Sequence, residues 1–333
     1  MIAFMISRTT TITHYELNMS IKSTSKNHPS PPLVNLSILN LFSQLKKWDY
    51  ENVNRTFGKE SFCGLMPIID IKNSQNRIDI LLCLADKEGD TPETLDFSSR
   101  KRRTLKAEDG EGINTRGHIV IKIDPKTPTI ARFSVENKLG ITAKLFIDTL
   151  NYFLRDAKNA HPKFFIGNHA TLKNPDGTPQ PAKFTIRMNY SPLLSDEFIE
   201  AFEYGRIKDV QFEIPTKQTQ AYDDIGVFVP QRKVEYVDVT LSIKKLAPNN
   251  GRLSINHIKQ AFGGLIKSRP DLKDATFKIH YRDKAGKHHT VRYDPLTQEF
   301  VLVKKTHTKR HRINPENLEL IPKLCDTMFA HLG

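Results

Sequence analysis

Alternating apolar and polar residues predict strands through much of the first half of the chain. Residues 9–22 alternate with a period of two, and the runs 62–71 and 77–84 flank a polar turn as the arms of a hairpin. Residues 118–123 and 130–135 have the same character. The pattern predicts sheet formation around these five segments.

Helical spacing appears between the strands. Within residues 33–48, apolar residues recur three and four positions apart, and Thr142 is placed to cap a second helix that runs to Leu154. Ser195 is a similar cap for a short helix, followed by a strand at 210–214. Helices of this kind between strands predict an α+β fold, with mixed or antiparallel sheets and packed helices.

The final third of the chain has the clearest pattern. An alternating strand at 234–246 precedes a helix capped by Ser254, and a hairpin surrounds the turn at 284–287. A third strand follows at 299–305, and Pro315 opens the last predicted helix, because proline is favoured in a first helical turn. The predicted order is β-α-β-β-β-α.

Weakly patterned stretches suggest how the chain is divided. Residues 86–117 lack apolar periodicity and are predicted to be a long exposed basic loop, and residues 168–181 are rich in turn-forming residues. Residues 216–233 are polar and are our candidate connection between domains. The predicted domains are therefore 1–215 and 234–333.

The charge of the chain points to a polyanionic partner. Among 333 residues, 50 Lys and Arg face 37 Asp and Glu, which gives a net charge of +13. With 38% hydrophobic residues the chain has enough apolar material to fold, so the charge belongs to the surface of a folded protein. A positive surface attracts DNA, RNA, anionic membranes or acidic proteins, and phosphate backbones are the densest such target.

Other features of the sequence limit the classes of function. The three cysteines, Cys63, Cys83 and Cys325, lack paired spacing and are expected to be reduced thiols. The apolar run at residues 2–6 is shorter than a signal-peptide core, and no apolar run approaches the roughly 20 residues of a membrane span. We therefore expect a cytoplasmic protein, and we assign it no metal and no cofactor.

The positive charge is concentrated near the end of the chain. Residues 232–333 carry 20 Lys and Arg against 10 Asp and Glu, so +10 of the net charge lies there. The densest run, 304–312, is predicted to join the last strand to the last helix, whose N-terminal dipole also favours an anion. We expect this run to be the main phosphate contact.

Two more basic segments are expected to bind phosphate with it. One lies in the 86–117 loop and the other is the hairpin around the turn at 284–287, where Arg292 adds to the charge. The predicted nucleic-acid contacts are Arg100, Lys101, Arg102, Arg103, Lys278, Arg282, Lys284, Lys287, Lys304, Lys305, Lys309, Arg310 and Arg312.

Two other functions stay open at the level of sequence. The triplet Asp70-Ile71-Lys72 resembles the acid and lysine step of a Mg²⁺-dependent nuclease, with Glu60 and Asp79 as further acids. The basic surface is also compatible with RNA, whose wide minor groove presents 2′-hydroxyls. His280, His288 and His289 lack the carboxylate or cysteine partners of a metal site.

The order of elements resembles that of the RexA exclusion proteins of lambdoid phage and, more distantly, that of the KwaB-type defence proteins. The segments that carry this resemblance are 116–121, 131–135, 138–140, 150–154, 237–244, 277–280 and 283–286.

The resemblance has consequences for fold and function. It implies an α+β fold similar to that of the RdgC proteins and a homodimer that binds double-stranded DNA without sequence preference in phage exclusion. Whether a second protein of the defence system completes the activity stays open at the level of sequence. The chain is longer at its N-terminus and in its basic loops than RexA, which leaves the dimer surface and the DNA path open.

Overall fold

A computed structural model gives the fold. It describes residues 9–24, 34–89, 93–95, 99, 101–104, 108, 111–203, 207–216, 233–239, 255–269, 276–294, 299–300, 304–309 and 317–333. The chain forms two compact units, one of residues 1–191 and 305–333 and the other of residues 192–304.

The first unit is built on strands, with three helices packed against them. Its strands are β1 (Thr9–Ser23), β2 (Asn54–Phe57), β3 (Phe62–Lys72), β4 (Arg77–Asp86), β5 (Glu93–Leu95), β6 (Arg102–Thr104), β7 (Ile113–Ile123), β8 (Ile130–Glu136), β9 (Ile166–Lys173), β10 (Pro179–Pro192) and β16 (Lys305–Lys309). Its α-helices are α1 (Ile38–Lys47), α2 (Ala143–Ala160) and α5 (Pro322–Ala330), with short 3-10 turns at Tyr50–Asn52, Asn73–Gln75 and Pro162–Phe165.

Nine of the described strands form one sheet. The order is β2-β3-β4-β7-β8-β1-β10-β9, and β16 also pairs with β1. Strand β1 pairs antiparallel with β8 on one edge and with β16 on the other. Helices α1 and α2 begin at the serine and threonine caps Ser37 and Thr142, whose side chains accept backbone N–H bonds.

The alternation of side chains gives this sheet two different faces. Odd-numbered residues of β7, such as Ile119 and Ile121, pack against α1 and α2 in the main core. Even-numbered Val120 packs with Leu324 and Met328 of α5 on the opposite face. That second face also carries most of the buried charged side chains of the unit, which are described below.

The described residues of the second unit form five paired strands and two helices. Its elements are α3 (Asp196–Glu203), β11 (Ile207–Thr216), β12 (Lys233–Val239), α4 (Ile255–Ser268), β13 (Thr276–Arg282), β14 (His288–Asp294) and β15 (Glu299–Phe300). The strand order is β12-β11-β13-β14-β15. Both units combine helices with antiparallel sheets, so the fold is α+β, as the sequence predicts.

The division of the chain differs from the one that composition suggests. Strands β11 and β12 pair antiparallel, with Thr216 opposite Lys233, so the polar segment between them joins two neighbouring strands of one sheet. Residues 305–333 return to the first unit, where β16 and α5 complete the sheet and its second core. The second unit is therefore an insertion between β10 and β16.

Strands occur both in the segment predicted to be a long loop and in the segment described as rich in turn-forming residues. In the 86–117 segment β5 pairs with β6, and β7 begins at Ile113, opposite Asp86. In the 168–181 segment β9 pairs with β10. In β9 His169 alone is buried, so its sequence lacks the alternation that identifies a half-buried strand.

The last helix begins later than predicted. Pro322, rather than Pro315, occupies its first turn, and Ile321 is the cap residue. Leu318, which would have lain on the apolar face of the longer helix, is 55% exposed. Among the described residues, no helix combines the length and apolar character required to cross a bilayer.

Candidate nucleic-acid interface

The outer face of the β13–β14 hairpin carries a ladder of basic side chains. The antiparallel register places Lys278 opposite Arg292 and Arg282 opposite His288. Side chains directly opposite each other on one face of such a pair have Cβ atoms roughly 4.5–5.5 Å apart. Lys278 and Arg292 therefore form a pair of like charges that lie next to each other.

The inner face of the same hairpin is apolar, and this fixes the direction of the basic side chains. Phe262 of α4 contacts Phe277 and Tyr293, with ring centroids 5.3 and 4.9 Å apart. Phe198 of α3 contacts Tyr281 at 5.2 Å. Because successive side chains of a strand point to opposite faces, burying these rings turns the intervening basic residues outward.

The turn of the hairpin is held by its own polar contacts. Asp283 accepts hydrogen bonds from the Lys287 N–H at 2.9 Å and from His289 at 2.8 Å. The His289 bond holds the pKa of Asp283 below its ordinary value. Lys284 and Lys287 are both exposed in this turn, and Lys284 pairs with Glu200 at 2.8 Å.

The basic run at 100–103 does not form an open loop. Lys101 and Arg102 are exposed, and Arg102 and Arg103 belong to β6, where they pair with Leu95 and Thr94. Arg100 and the side chain of Arg103 lie outside the described part of the structure. Part of this predicted contact is thus a strand of a small hairpin.

The run at 304–312 was also predicted to be a loop, and this was wrong for its first half. Lys305 and Lys309 are exposed residues of β16, which pairs with β1 from Thr13 to Thr9. The Lys304 N–H donates to Leu193 at 2.6 Å. The positions of Arg310 and Arg312 fall outside the described residues.

The last helix, whose N-terminal dipole was expected beside this run, begins further along the chain than predicted. Helix α5 begins at Pro322, and the N–H of its cap residue Ile321 donates to Nε2 of His118 at 3.1 Å. The N–H group of the cap residue therefore already has a hydrogen-bond acceptor inside the protein. The argument that this helix N-terminus adds to an anion site at 304–312 therefore has no support.

The acid and lysine triplet forms part of an ion-pair network. Asp79 is 1% exposed, and its carboxylate oxygens accept from Arg77 at 2.7 Å and from Lys72 at 2.8 Å. The hydrogen bond that Lys72 donates to Asp79 holds the pKa of Lys72 above its ordinary value. Asp70 lies 3.8 Å from Lys72 and is half-exposed, whereas Glu60 lies in the turn before β3, at the other end of that strand.

A second buried network joins the sheet to the start of α5. His118 is fully buried, and its Nδ1 lies 2.7 Å from Glu136 while its Nε2 accepts from Ile321. This arrangement places the imidazole proton on Nδ1. Burial alone would raise the pKa of Glu136, but the His118 bond and the Lys138 charge outweigh it, so the pKa lies below its ordinary value.

Stability is expected to depend on the ionisation of Glu136. A carboxyl with a folded-state pKa below its unfolded value contributes stability above the unfolded pKa, and this contribution is lost as the pH falls through the folded one. Glu136→Gln should therefore be less stable than the wild type at pH 7, and the gap should narrow below about pH 4.5.

Urea unfolding midpoints measured from pH 7 to pH 3 test this expectation, with Glu16→Gln, at a half-exposed position of β1, as the control. If the difference in midpoint between the wild type and Glu136→Gln is the same at every pH, the charge of Glu136 does not contribute to stability.

The cysteines and histidines do not form a metal site in the described part of the chain. No group of three or more His, Cys, Asp or Glu side chains there is arranged to hold an ion. Burial raises the pKa of Cys83 to about 11 and that of Cys325 to about 12, so both stay protonated at neutral pH. His280 instead bonds to Thr290 at 2.8 Å.

One cationic cluster is only partly visible in the sequence. Arg55, Arg155, Lys158 and Arg187 line a depression in the first unit, and they come from β2, α2 and β10. They form no basic run, so a search for charge clusters along the chain passes over them. A helical-wheel view of α2 would have placed Arg155 and Lys158 together, because they are three residues apart.

Comparisons with protein-family models, with curated proteins and with solved structures each gave no significant match.

Proposed function

We propose that this protein binds double-stranded DNA without sequence preference, through the outer face of the β13–β14 hairpin. The observation that carries the proposal is the pair of like charges, Lys278 and Arg292, in direct register on neighbouring strands. Like charges opposite each other destabilise a sheet by a few tenths of a kcal/mol to about 1 kcal/mol. An anion bound between the two side chains removes this repulsion, which makes a phosphate a favourable partner.

The dimensions of the hairpin suit a phosphate backbone. Lys278 and Arg282 are four residues apart on β13, which corresponds to about 13 Å along a strand. One DNA strand advances about 3.4 Å for each phosphate along the helix axis, so the ladder spans several phosphates. Lysine and arginine contacts of this kind hold the duplex without reading its bases.

The position of the aromatic rings favours duplex DNA over single-stranded RNA. Sheets that bind single strands present aromatic side chains on which bases stack. Here Phe277, Tyr281 and Tyr293 lie on the buried side of the hairpin, and lysine and arginine side chains occupy the outer side. Among the described residues of β13 and β14, no Phe or Tyr ring lies on the outer face, which suits phosphates better than unstacked bases.

The wider role follows from the resemblance to RexA exclusion proteins and is part of the same proposal. It comprises phage exclusion in the cytoplasm, a homodimer and a second defence protein as partner. Lys305 and Lys309 on β16 are further phosphate contacts in this proposal, as are Lys101 and Arg102.

Binding to a random-sequence duplex is expected to depend steeply on salt. Neutralised phosphates release counterions, so the logarithm of the affinity should fall linearly with the logarithm of salt concentration between about 50 and 200 mM, with similar slopes for unrelated sequences. A gel-shift titration with and without Mg²⁺ measures this. Equal affinity at the two salt concentrations contradicts the proposal, and Mg²⁺-dependent loss of intact DNA would favour the nuclease alternative.

A further inference from the structure

The depression lined by Arg55, Arg155, Lys158 and Arg187 lies in the first unit, and none of its lining residues belongs to a basic run of the sequence. Its volume is about 650 Å³. Sites for small ligands have volumes of roughly 300–1000 Å³, so the depression has the size of a small-molecule site. A duplex, in contrast, needs an extended surface, which makes this a different kind of site from the hairpin face.

The four cations are available to a ligand. None of them forms an ion pair with a carboxylate among the described residues. The one acid that lines the depression, Asp148, pairs with Lys144 at 2.6 Å. The depression therefore has an excess of positive charge that none of the described carboxylates neutralises.

The fold brings these cations together from distant parts of the sheet. Arg55 lies on β2, at one end of the strand order, whereas Arg187 lies on β10, near the other end. Helix α2 contributes Arg155 and Lys158, whose positions three residues apart lie on one side of the helix. Cations that converge from three elements repel one another, and a bound anion would offset that repulsion.

Two of the arginines are held in place by aromatic rings. The Arg155 guanidinium lies 5.4 Å from the centre of the Tyr152 ring, and that of Arg55 lies 4.7 Å from the centre of the Phe57 ring. Such contacts orient a guanidinium without neutralising its charge. Both planar groups are thus positioned to donate pairs of hydrogen bonds to phosphate oxygens.

We infer that this depression binds a small ligand with two or more linked phosphates, such as a nucleoside triphosphate or inorganic pyrophosphate. Four cations exceed what a single phosphate requires, and a chain of phosphates contacts all of them at once. The arginines supply paired hydrogen bonds, and Lys158 supplies a point charge. This inference does not rest on the DNA proposal, because the two sites share no residue.

Isothermal titration calorimetry with ATP, pyrophosphate and inorganic phosphate tests the inference on the full chain without Mg²⁺. We expect ATP or pyrophosphate to bind the wild type more tightly than inorganic phosphate does. Arg155→Ala combined with Lys158→Ala should weaken that binding by about 100-fold, because two charge-assisted contacts are lost. Alanine favours the helix, so α2 should remain intact.

Matched controls identify the site. Lys163→Ala combined with Lys173→Ala removes two exposed lysines of the same unit outside the depression and should leave the affinity unchanged. Circular dichroism checks that both variants are folded. ATP binding that is stronger than pyrophosphate binding identifies a nucleotide as the ligand, and equal binding identifies the phosphates alone.

Three results would overturn the inference. The first is that neither ATP nor pyrophosphate binds at millimolar concentration, and the second is that the depression variant binds them as the wild type does. The third is that this variant loses affinity for duplex DNA while ATP fails to bind, which would make the depression part of the DNA surface. Failure of the DNA proposal appears separately, in the gel shifts of the wild-type protein.

Discussion

Reversing the charge of Lys278, Arg282 and Arg292 to glutamate is expected to weaken duplex DNA binding by about 100-fold. At roughly 1 kcal/mol for each lost phosphate contact, three losses amount to about 3 kcal/mol. The slope of the salt dependence should also fall by about 3, because three fewer counterions are released. Gel shifts at several salt concentrations measure both effects.

A second triple variant separates the local site from the overall field. Lys126, Lys163 and Lys173 are exposed lysines of the first unit, and reversing them changes the net charge by the same amount. We expect this control to lose much less affinity than the hairpin variant. Equal losses would mean that only the net charge attracts DNA and that the hairpin is not a binding site.

The Asp79→Ala variant is expected to lose about 3–5 kcal/mol of unfolding free energy, because removing one partner of a buried ion pair leaves the other charge uncompensated. Arg77 is 3% exposed and would keep only Asp326, whose side chain is 66% exposed. Lys72 would lose its shorter ion pair. Urea unfolding followed by the fluorescence of the single tryptophan, Trp48, measures the change.

The neighbouring strand provides a close control for this prediction. Asp70 lies opposite Asp79 in the β3–β4 register, but its side chain is 48% exposed and lies 3.8 Å from Lys72. Exposed ion pairs contribute little, so Asp70→Ala should change the unfolding free energy by less than about 1 kcal/mol. Equal effects of the two substitutions would contradict the view that Asp79 stabilises a buried network.

Neighbouring residues determined many of the secondary-structure elements. In β1, β4, β7 and β8 the apolar residues that face the main core recur at every second position, and that pattern is visible in any short window. The same holds for the helix caps. Thr142 accepts from the Leu145 N–H at 3.0 Å, and the hydroxyl of Ser195 accepts from the Phe198 N–H at 3.3 Å.

The basic hairpin was also visible in the sequence, but which of its charges face outward together was decided by packing. Lys278, Arg282 and Arg292 share the outer face because Phe277, Tyr281 and Tyr293 are buried on the other side. Lys284 is instead paired with Glu200, a residue far away in the chain. The basic residues of the sequence do not by themselves reveal this pairing of Lys284 with Glu200.

The sequence alone therefore determined the α+β class, most strands and helices, and the concentration of positive charge near the end of the chain. The tertiary structure decided that β16 pairs with β1, where Thr11 and His307 are 296 residues apart, and that Arg55, Arg155, Lys158 and Arg187 meet in one depression. The physical reason is the separation along the chain of the residues that interact. Periodicity and capping depend on near neighbours, whereas strand pairing and the convergence of charges depend on the path of the whole chain.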